Sequence, residues 1–454
     1  MTDCLFESLE QQFLLPRTKL EPIITAFCNE YKHGLKTPSK GLATMIPSFV
    51  TKLPQGNEKG TFLSLDLGGT NLRISAVELL GQGQVQVLEL KKCPSQALKT
   101  GKGSDFFDWI ADAVQELVSV KARHLFSDAQ VNGQETLSLG VCWSFPVDQT
   151  AVDKGTILRM GKGFTLQETE GHDLADLFHQ AFQRKGLNVQ VTAILNDTVG
   201  TLVAHAYSNP QARIGLIFAT GINGSYPEKV SAIDKLGDLR GKYAPGTEML
   251  INTEIDIFGD ASYLPLTKYD LALDSSHNQP GFQPYEKMMS GAYLGELVRL
   301  IALDFIRAGA LFDGAVPEGF DEAWSFPSAY MSALEGNTAA EKSVELLSDK
   351  FHFAHAPTLH DLAVLTRICR IVATRSASLA AVAIASMIMQ QELKGEVVVG
   401  VNGSTFEFYP NMASRVRAAL ADWFGEDIAK DIKLELARDG GSIGGALIAM
   451  LCAA

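Results

Sequence analysis

Carboxylates stand in this chain where strand-like apolar runs stop, beside residues suited to anionic ligands. In Asp66-Leu67-Gly68-Gly69-Thr70-Asn71 two glycines permit a turn whose N–H groups converge on an anion, and Thr70 adds a hydroxyl donor. Asp66, at the strand end, is placed to organise a magnesium ion. The same residues also suit a plain hairpin with an aspartate cap. Thr220-Gly221-Ile222-Asn223-Gly224-Ser225 reads as a second turn of this kind, and Gly440-Gly441-Ser442 with Gly444-Gly445 opens the last helix as a third. Three strand-linked glycine turns favour phosphate binding through backbone donors. Neither G-x-x-x-x-G-K-[ST] nor G-x-G-x-x-G occurs, so P-loop and dinucleotide sites lack support.

The run Ala193-Ile194-Leu195-Asn196-Asp197-Thr198 sets an amide and a carboxylate where a strand ends, the usual place for ligand groups in open α/β sheets. A hydroxyl is a poor nucleophile while protonated, and Asp197 is the general-base candidate that could take its proton as a bond to phosphorus forms. Taken alone, Asp197 reads better as the N-cap of a helix over 198–207. Residues 143–164, with Trp143-Ser144-Phe145-Pro146 and Gly161-Lys162-Gly163-Phe164, form a polar, glycine-rich loop long enough to be functional. Glu254 and Glu286 could accept hydrogen bonds from sugar hydroxyls, though each alone is more often a solvated glutamate. His352, His355 and His360 have loose metal-like spacing without a nearby cysteine, which makes zinc the lesser reading.

The elements that must hold these groups follow from periodicity. Two helical patterns fill the first 50 residues, the second carrying Leu20, Ile23, Ile24, Phe27 and Tyr31. Strand-like runs at 61–67, 72–79 and 85–90 form a β-meander, followed by a helix from Ser104, a strand at 137–143, a helix near 174–183 and a strand at 189–195. Strands at 213–218 and 397–401 again lead into glycine turns, with long helices at about 286–308 and 359–393. This alternation predicts an α/β chain of two halves built on one plan, hinged near residue 205, with their turns facing across a cleft.

At 454 residues, 46% hydrophobic and 20% charged, the chain is long and apolar enough for two large domains. Its net charge of −13, without a basic run, argues against nucleic acid or an anionic membrane surface as partner. Six scattered cysteines without a C-x-x-C pair, and an acidic N-terminus unlike a signal peptide, suit a cytoplasmic protein with reduced thiols. The sequence says nothing about oligomeric state.

Taken together the motifs resemble the hexokinase family, from about residue 60 to the C-terminus. Asp66–Asn71 resembles its first phosphate motif, Ser144-Phe145-Pro146 through Gly161-Lys162-Gly163-Phe164 its sugar loop, Leu195–Thr198 its catalytic aspartate motif and Thr220–Asn223 its second phosphate motif. Glu254 and Gln283-Pro284-Tyr285-Glu286 match its sugar-holding glutamates; Gly403-Ser404 and Asp439–Ser442 match its adenosine side. The resemblance implies a two-lobed actin-like ATPase (ribonuclease H-like) fold: helices over 1–59 packing on the large domain, a small domain over 60–205, a large domain over 206–442, and a C-terminal helix over 443–454 returning to the small domain. It implies ATP and Mg2+ as cofactors and transfer of the γ-phosphoryl group to a sugar 6-hydroxyl. Asp197 and Lys162 would be catalytic, and Ser144, Phe145, Lys162, Asn196, Asp197, Asn223, Glu254 and Glu286 would hold the sugar. Asp66, Gly68, Gly69, Thr70, Asn71, Thr220, Gly221, Gly403, Ser404, Gly441 and Ser442 would hold the nucleotide, with Asp66 on the metal.

Departures lie beside the sugar. Gly161 replaces a threonine, Ala219 a glycine and Asn402 an aspartate, and Asn252-Thr253-Glu254-Ile255-Asp256 replaces the Asn-Thr-Glu-Trp-Gly of glucose-type members. The wording Trp143-Ser144, Gly221-Ile222-Asn223, Thr267-Lys268-Tyr269-Asp270 and Gln283-Pro284 is similar to fungal N-acetylglucosamine kinases. Ile255-Asp256 in place of that Trp-Gly removes a large ring and leaves room for an acetamido group. N-acetylglucosamine is therefore the first expectation, with glucose as runner-up and a sugar-sensing regulator without turnover as a different class.

Overall fold

The computed structural model describes residues 2–38, 43–337 and 339–453. Each half of the chain folds its strands into one sheet. The first contains β2 (Lys59–Leu67), β3 (Leu72–Gly81), β4 (Gln84–Lys92), β5 (Leu137–Trp143) and β8 (Val189–Leu195), in the order β4-β3-β2-β5-β8. The second contains β9 (Ala212–Phe218), β10 (Ile222–Lys229), β11 (Glu248–Asn252), β12 (Val397–Asn402) and β13 (Ile432–Leu436), in the order β11-β10-β9-β12-β13, with β1 (Ile46–Pro47) added beyond β11. A small hairpin, β6 (Val147–Ala151) with β7 (Lys154–Ile157), interrupts the loop after β5.

The two sheets share one topology, as the duplicated pattern implies. In each, the first three strands form an antiparallel meander, and the first, fourth and fifth run parallel. The C-terminal ends of β2, β5 and β8 deliver Asp66, Ser144 and Asn196-Asp197 to one rim, and those of β9 and β12 deliver Thr220 and Gly403. Ligands bind at such rims because the strands end there in loops and helix N-termini.

Packing follows the same division. One apolar core fills the first half around Leu65, Phe107, Val141 and Phe178, and a larger one fills the second around Ile214, Ile301, Ile368 and Val399. Phe6, Phe13, Ile23, Phe27 and Tyr31 of the helices Thr2–Phe13 and Arg17–Lys36 belong to the larger core. The Leu359–Gln390 helix, long and apolar enough to cross a membrane, is buried through that core. A third cluster, including Val77, Leu202, Val203, Leu250, Val398 and Leu447, surrounds the Asp197–Ser208 helix, which sits between the halves. There the backbone crosses the C-terminal segment with nothing between: a Cβ on Gly444 would lie 2.2 Å from the Gly200 carbonyl oxygen, and one on Gly200 2.5 Å from that of Gly440.

Three expectations are corrected. The helix at 286–308 is two, Pro284–Met289 and Leu294–Arg307, because Gly291 and Ala292 leave the helix to donate to the carbonyls of Ala219 (2.8 Å) and Thr220 (3.1 Å). The second glycine turn ends at Gly221: Ile222–Ser225 pairs with Phe218–Gly215 as β10, so backbone pairing overrides the turn propensity of Asn223-Gly224. The helix expected from Ser104 starts at Gly103, whose N–H is held by the Gln167 carbonyl, and no side chain caps it.

Candidate active site

The Asp197 segment is built by its neighbour. Asn196, not Asp197, is the N-cap: its Oδ1 accepts from the Thr198 N–H at 2.9 Å and the Thr198 hydroxyl at 2.8 Å. The capping reading of Asp197 is therefore replaced, and its carboxylate, at the first helical position, is left for other work. Burial pushes Asp197 above the usual carboxylate range, and the Lys162 ammonium opposes that shift. Lys162 itself has a left-handed backbone, φ 54°, and its ammonium lies 5.7 Å from the Phe145 ring centre. Phe145 packs edge-on against Phe164 at 5.4 Å, so the two ends of the loop that follows β5 are joined.

Opposite these groups, β10 and β11 hold a bonded set of amides and a carboxylate. The Asn223 side-chain N–H donates to Asn252 Oδ1 (3.0 Å) and Glu254 Oε1 (3.1 Å), and Asn252 Nδ2 donates to Glu254 Oε1 at 2.7 Å. One Glu254 oxygen is thus fixed by two amides. Glu254 has a left-handed backbone, φ 50°, which a non-glycine residue holds only when its surroundings enforce it. Glu286 reaches the second turn: its Oε2 accepts from the Ile222 N–H at 3.1 Å, and a Cβ on Gly221 would lie 2.5 Å from that oxygen. Burial raises both glutamates, Glu286 to about 7, and each acidic neighbour adds to it: Asp197 acts on Glu254, and Glu254 on Glu286. Lys162 lowers both, so one cation answers Asp197, Glu254 and Glu286 together.

The first glycine turn closes through Gly68 N–H on the Asn71 carbonyl at 3.1 Å, and the Asn71 amide is spent inside it on the Thr70 hydroxyl, also at 3.1 Å. Lys99 donates to the Gly69 carbonyl at 2.9 Å while its ammonium sits 4.9 Å from the Phe164 ring. A Cβ on Gly69 would meet the Lys162 stem at 3.0 Å. Asp66 is raised to about 6 by burial and then by Asp197, with Arg73 opposing. The third turn is placed against this carboxylate: a Cβ on Gly441 would lie 2.8 Å from Asp66 Oδ2. The Ser442 hydroxyl is buried and meets the Ser75 hydroxyl at 3.0 Å, so it braces β3. Gly403, with φ 140°, starts the short helix Ser404–Phe408 at the end of β12.

Models of the hexokinase family match residues 5–207 and 213–451 of this sequence. The chain belongs to the hexokinase family. It is 34% identical to hexokinase-1 of Schizosaccharomyces pombe, covering 98% of this chain and 90% of that one. It is 33% identical to a glucokinase of Aspergillus niger, covering 98% and 96%. A solved hexokinase from Schistosoma mansoni complexed with glucose superposes with a TM-score of 0.81 at 31% identity, over the whole of both chains. The two-lobed α/β hexokinase fold, and the sugar-kinase class with it, are those of this chain.

Hexokinases use ATP, and the residues here suit a magnesium nucleotide. Burial and then the Asp197 carboxylate raise the cost of ionising Asp66, which a divalent cation would relieve. No group of three metal-ligating side chains occurs among the described residues. That suits magnesium, which takes one or two carboxylates and completes its shell with water and phosphate oxygens.

Motif reading missed three residues. Cys142 is paired with Asp66 across β2 and β5, and its thiol is raised well above the usual range by burial and then by the Asp66 carboxylate. Lys99 braces the phosphate turn from a five-residue helix. Asp256, treated as a small side chain vacating space, lies among the sugar-side carboxylates: Oδ2 accepts a hydrogen bond from Gln283 Nε2, and Glu254 and Glu286 add to the burial that raises it well above the usual range. Strand pairing could have found Cys142; nothing local signals the other two.

Proposed function

We propose that this chain transfers the γ-phosphoryl group of ATP to the 6-hydroxyl of a hexose, and that the hexose is of the glucose type. The observation that carries the reading is the convergence of Asp197, relieved of the capping role by Asn196, with Lys162 and the sugar-side glutamates in one electrostatically connected set. Glu254, Glu286, Asn223 and Asn196, with Ser144 and Phe145 from the loop, orient the ring. Asp197 removes the hydroxyl proton as the new oxygen–phosphorus bond forms and the bond from phosphorus to the bridging oxygen of ADP breaks. A raised proton affinity suits that task, because a stronger base takes the proton more readily. Lys162 opposes the rise and so favours the ionised form that can accept the proton.

Backbone donors at Gly69, Thr70, Thr220 and Gly221 receive the phosphates, with Gly68 and Asn71 closing the first turn on each other. Gly403 and Ser404 take the adenosine side, and Gly441 and Ser442 support it from beneath Asp66. Magnesium, when bound, neutralises charge on the phosphate oxygens, and Asp66 is the carboxylate that would hold it.

The choice of glucose over N-acetylglucosamine rests on two points. The relatives above are named hexokinases and a glucokinase. Moreover, of the pair Ile255-Asp256 expected to leave room for an acetyl group, Ile255 is turned into the large core at 0% exposure, and Asp256 puts a carboxyl, bound by Gln283, beside Glu254. An apolar methyl gains little against a carboxyl. A coupled ADP-release assay over glucose, mannose, fructose and N-acetylglucosamine tests the reading. Glucose should give the higher kcat/KM, and N-acetylglucosamine exceeding it would overturn the sugar assignment. Sugar binding without ADP release for any of the four would make the chain a sugar-sensing regulator.

A further inference from the structure

Asp256 stands between the two segments that carry the sugar-side glutamates. It follows Glu254 by two residues in the helical turn Ile255–Ile257, and its Oδ2 is bound by Gln283, three residues before Glu286. Its other oxygen, Oδ1, is buried and has no hydrogen-bond partner. Buried polar atoms in folded proteins are nearly always partnered, so an orphan inside a binding pocket marks a place where ligand supplies the partner. The backbone agrees: Glu254 (φ 50°) and Gln283 (φ 54°), which flank Asp256 in space, are both left-handed, and such strain gathers where ligands are clamped.

Resting on the hexose-kinase reading, we propose that Asp256 is a specificity-determining residue of the sugar pocket, its Oδ1 hydrogen-bonding an oxygen on the edge of the hexose that Glu254 and Glu286 hold. The chemistry of that bond follows from the groups around it. Glu254 and Glu286 are the charges that act on Asp256, Gln283 donates to it, and the Tyr293 phenol, raised to about 12, feels both Glu286 and Asp256. Burial, Glu254 and Glu286 all favour the protonated form of Asp256. Because Oδ2 accepts from Gln283, a proton on Asp256 sits on Oδ1, the unpartnered oxygen, and is donated to a sugar oxygen. Asparagine would reproduce that arrangement, its carbonyl accepting from Gln283 and its N–H standing where Oδ1–H stood.

The test compares the dissociation constant of sugar, by calorimetry without nucleotide, for the full-length protein and its Asp256→Ala and Asp256→Asn variants, using glucose and a series of mono-deoxyglucoses. Asp256→Ala should weaken glucose about 10- to 100-fold, as expected when a site's hydrogen-bonding group is lost. The loss should vanish for the one deoxyglucose that lacks the contacted oxygen, and Asp256→Asn should recover glucose binding to within about threefold. Equal weakening for every deoxyglucose would make Asp256 a positioning residue and overturn the proposal, as would unchanged glucose binding in Asp256→Ala. If Asp256→Ala does not fold, failure of Asp256→Asn to bind glucose at near wild-type strength overturns it. The kinase reading fails separately: wild-type protein that binds glucose and releases no ADP refutes that reading and leaves this one standing.

Discussion

Replacing Gly221 by alanine adds one methyl group at a point where the site has no room for it. The new Cβ would lie 2.5 Å from Glu286 Oε2, closer than any real Cβ contact, while the backbone of Gly221 is outside the left-handed region and accepts alanine without strain. What yields is the end of a flexible side chain, so the Glu286 carboxyl swings away and its 3.1 Å bond from the Ile222 N–H is lost. A hydrogen bond to a charged group contributes about 1.5–3 kcal/mol, which corresponds to roughly 10- to 150-fold in affinity. The lost Ile222 bond costs folding about 1 kcal/mol, about 1 °C in a chain of this length, whereas the sugar loses the carboxyl that holds it, and that loss sets the fall in affinity. Steady-state kinetics of Gly221→Ala should show kcat/KM for glucose down by that factor with KM for ATP changed less than threefold, and a melting temperature within about 2 °C of the wild type. A variant with wild-type kcat/KM would refute the assignment of Glu286 to the sugar. One that loses several degrees of melting temperature at unchanged KM would refute the claim that Glu286, and not the backbone, gives way.

Asp197→Asn keeps shape and removes the proton acceptor, so kcat should fall about 10²-fold or more while calorimetry still detects glucose; near-normal turnover would remove Asp197 from the role of base. Asp66 is raised from 3.8 to about 6 in the folded protein, so its ionisation opposes folding: the penalty is absent at low pH, grows between about pH 4 and 6, and is full above. Asp66→Asn should therefore raise the melting temperature of the ligand-free protein at pH 8, by up to about 3 kcal/mol of stability, and much less at pH 4.5; the same gain at both values would contradict the electrostatic account. Gly69→Val would press on the Lys162 stem as well as the phosphate turn, so both ATP and glucose should bind more weakly; an effect on ATP alone would separate the turn from the sugar loop.

Strand ends could be read from sequence, and with them most of the site. Asp66 stands near the end of a nine-residue strand, Asn196, Asp197 and Thr220 stand just beyond seven-residue ones, and the duplicated order of those runs foreshadows two sheets with one topology. What stayed hidden depends on partners far away in the chain. Whether Asn196 or Asp197 caps the helix is a one-residue question that composition cannot decide, since both are good caps. The break after Met289 is set by carbonyls about 70 residues earlier, at Ala219 and Thr220, and helical periodicity ran straight through it. Asp256 misled for the same reason: comparison with Trp-Gly in glucose-type members invites a volume argument, whereas Gln283 and two glutamates turn the position into a matter of hydrogen bonds.

The bare crossing of Gly200 and Gly444 sets a limit on how this enzyme can be altered. Glycine-to-alanine exchange is a common route to thermostability, because it restricts the unfolded chain at little cost where the backbone allows it. Helical glycines such as these are the first choice of such a campaign, and here a methyl would meet main-chain oxygen at 2.2 or 2.5 Å with no side chain able to step aside. The helix headed by Asp197 would be levered off the C-terminal segment, displacing the carboxylate proposed as the base. Libraries screened for heat tolerance should lose both positions, and a survivor there would carry a second change that widens the crossing.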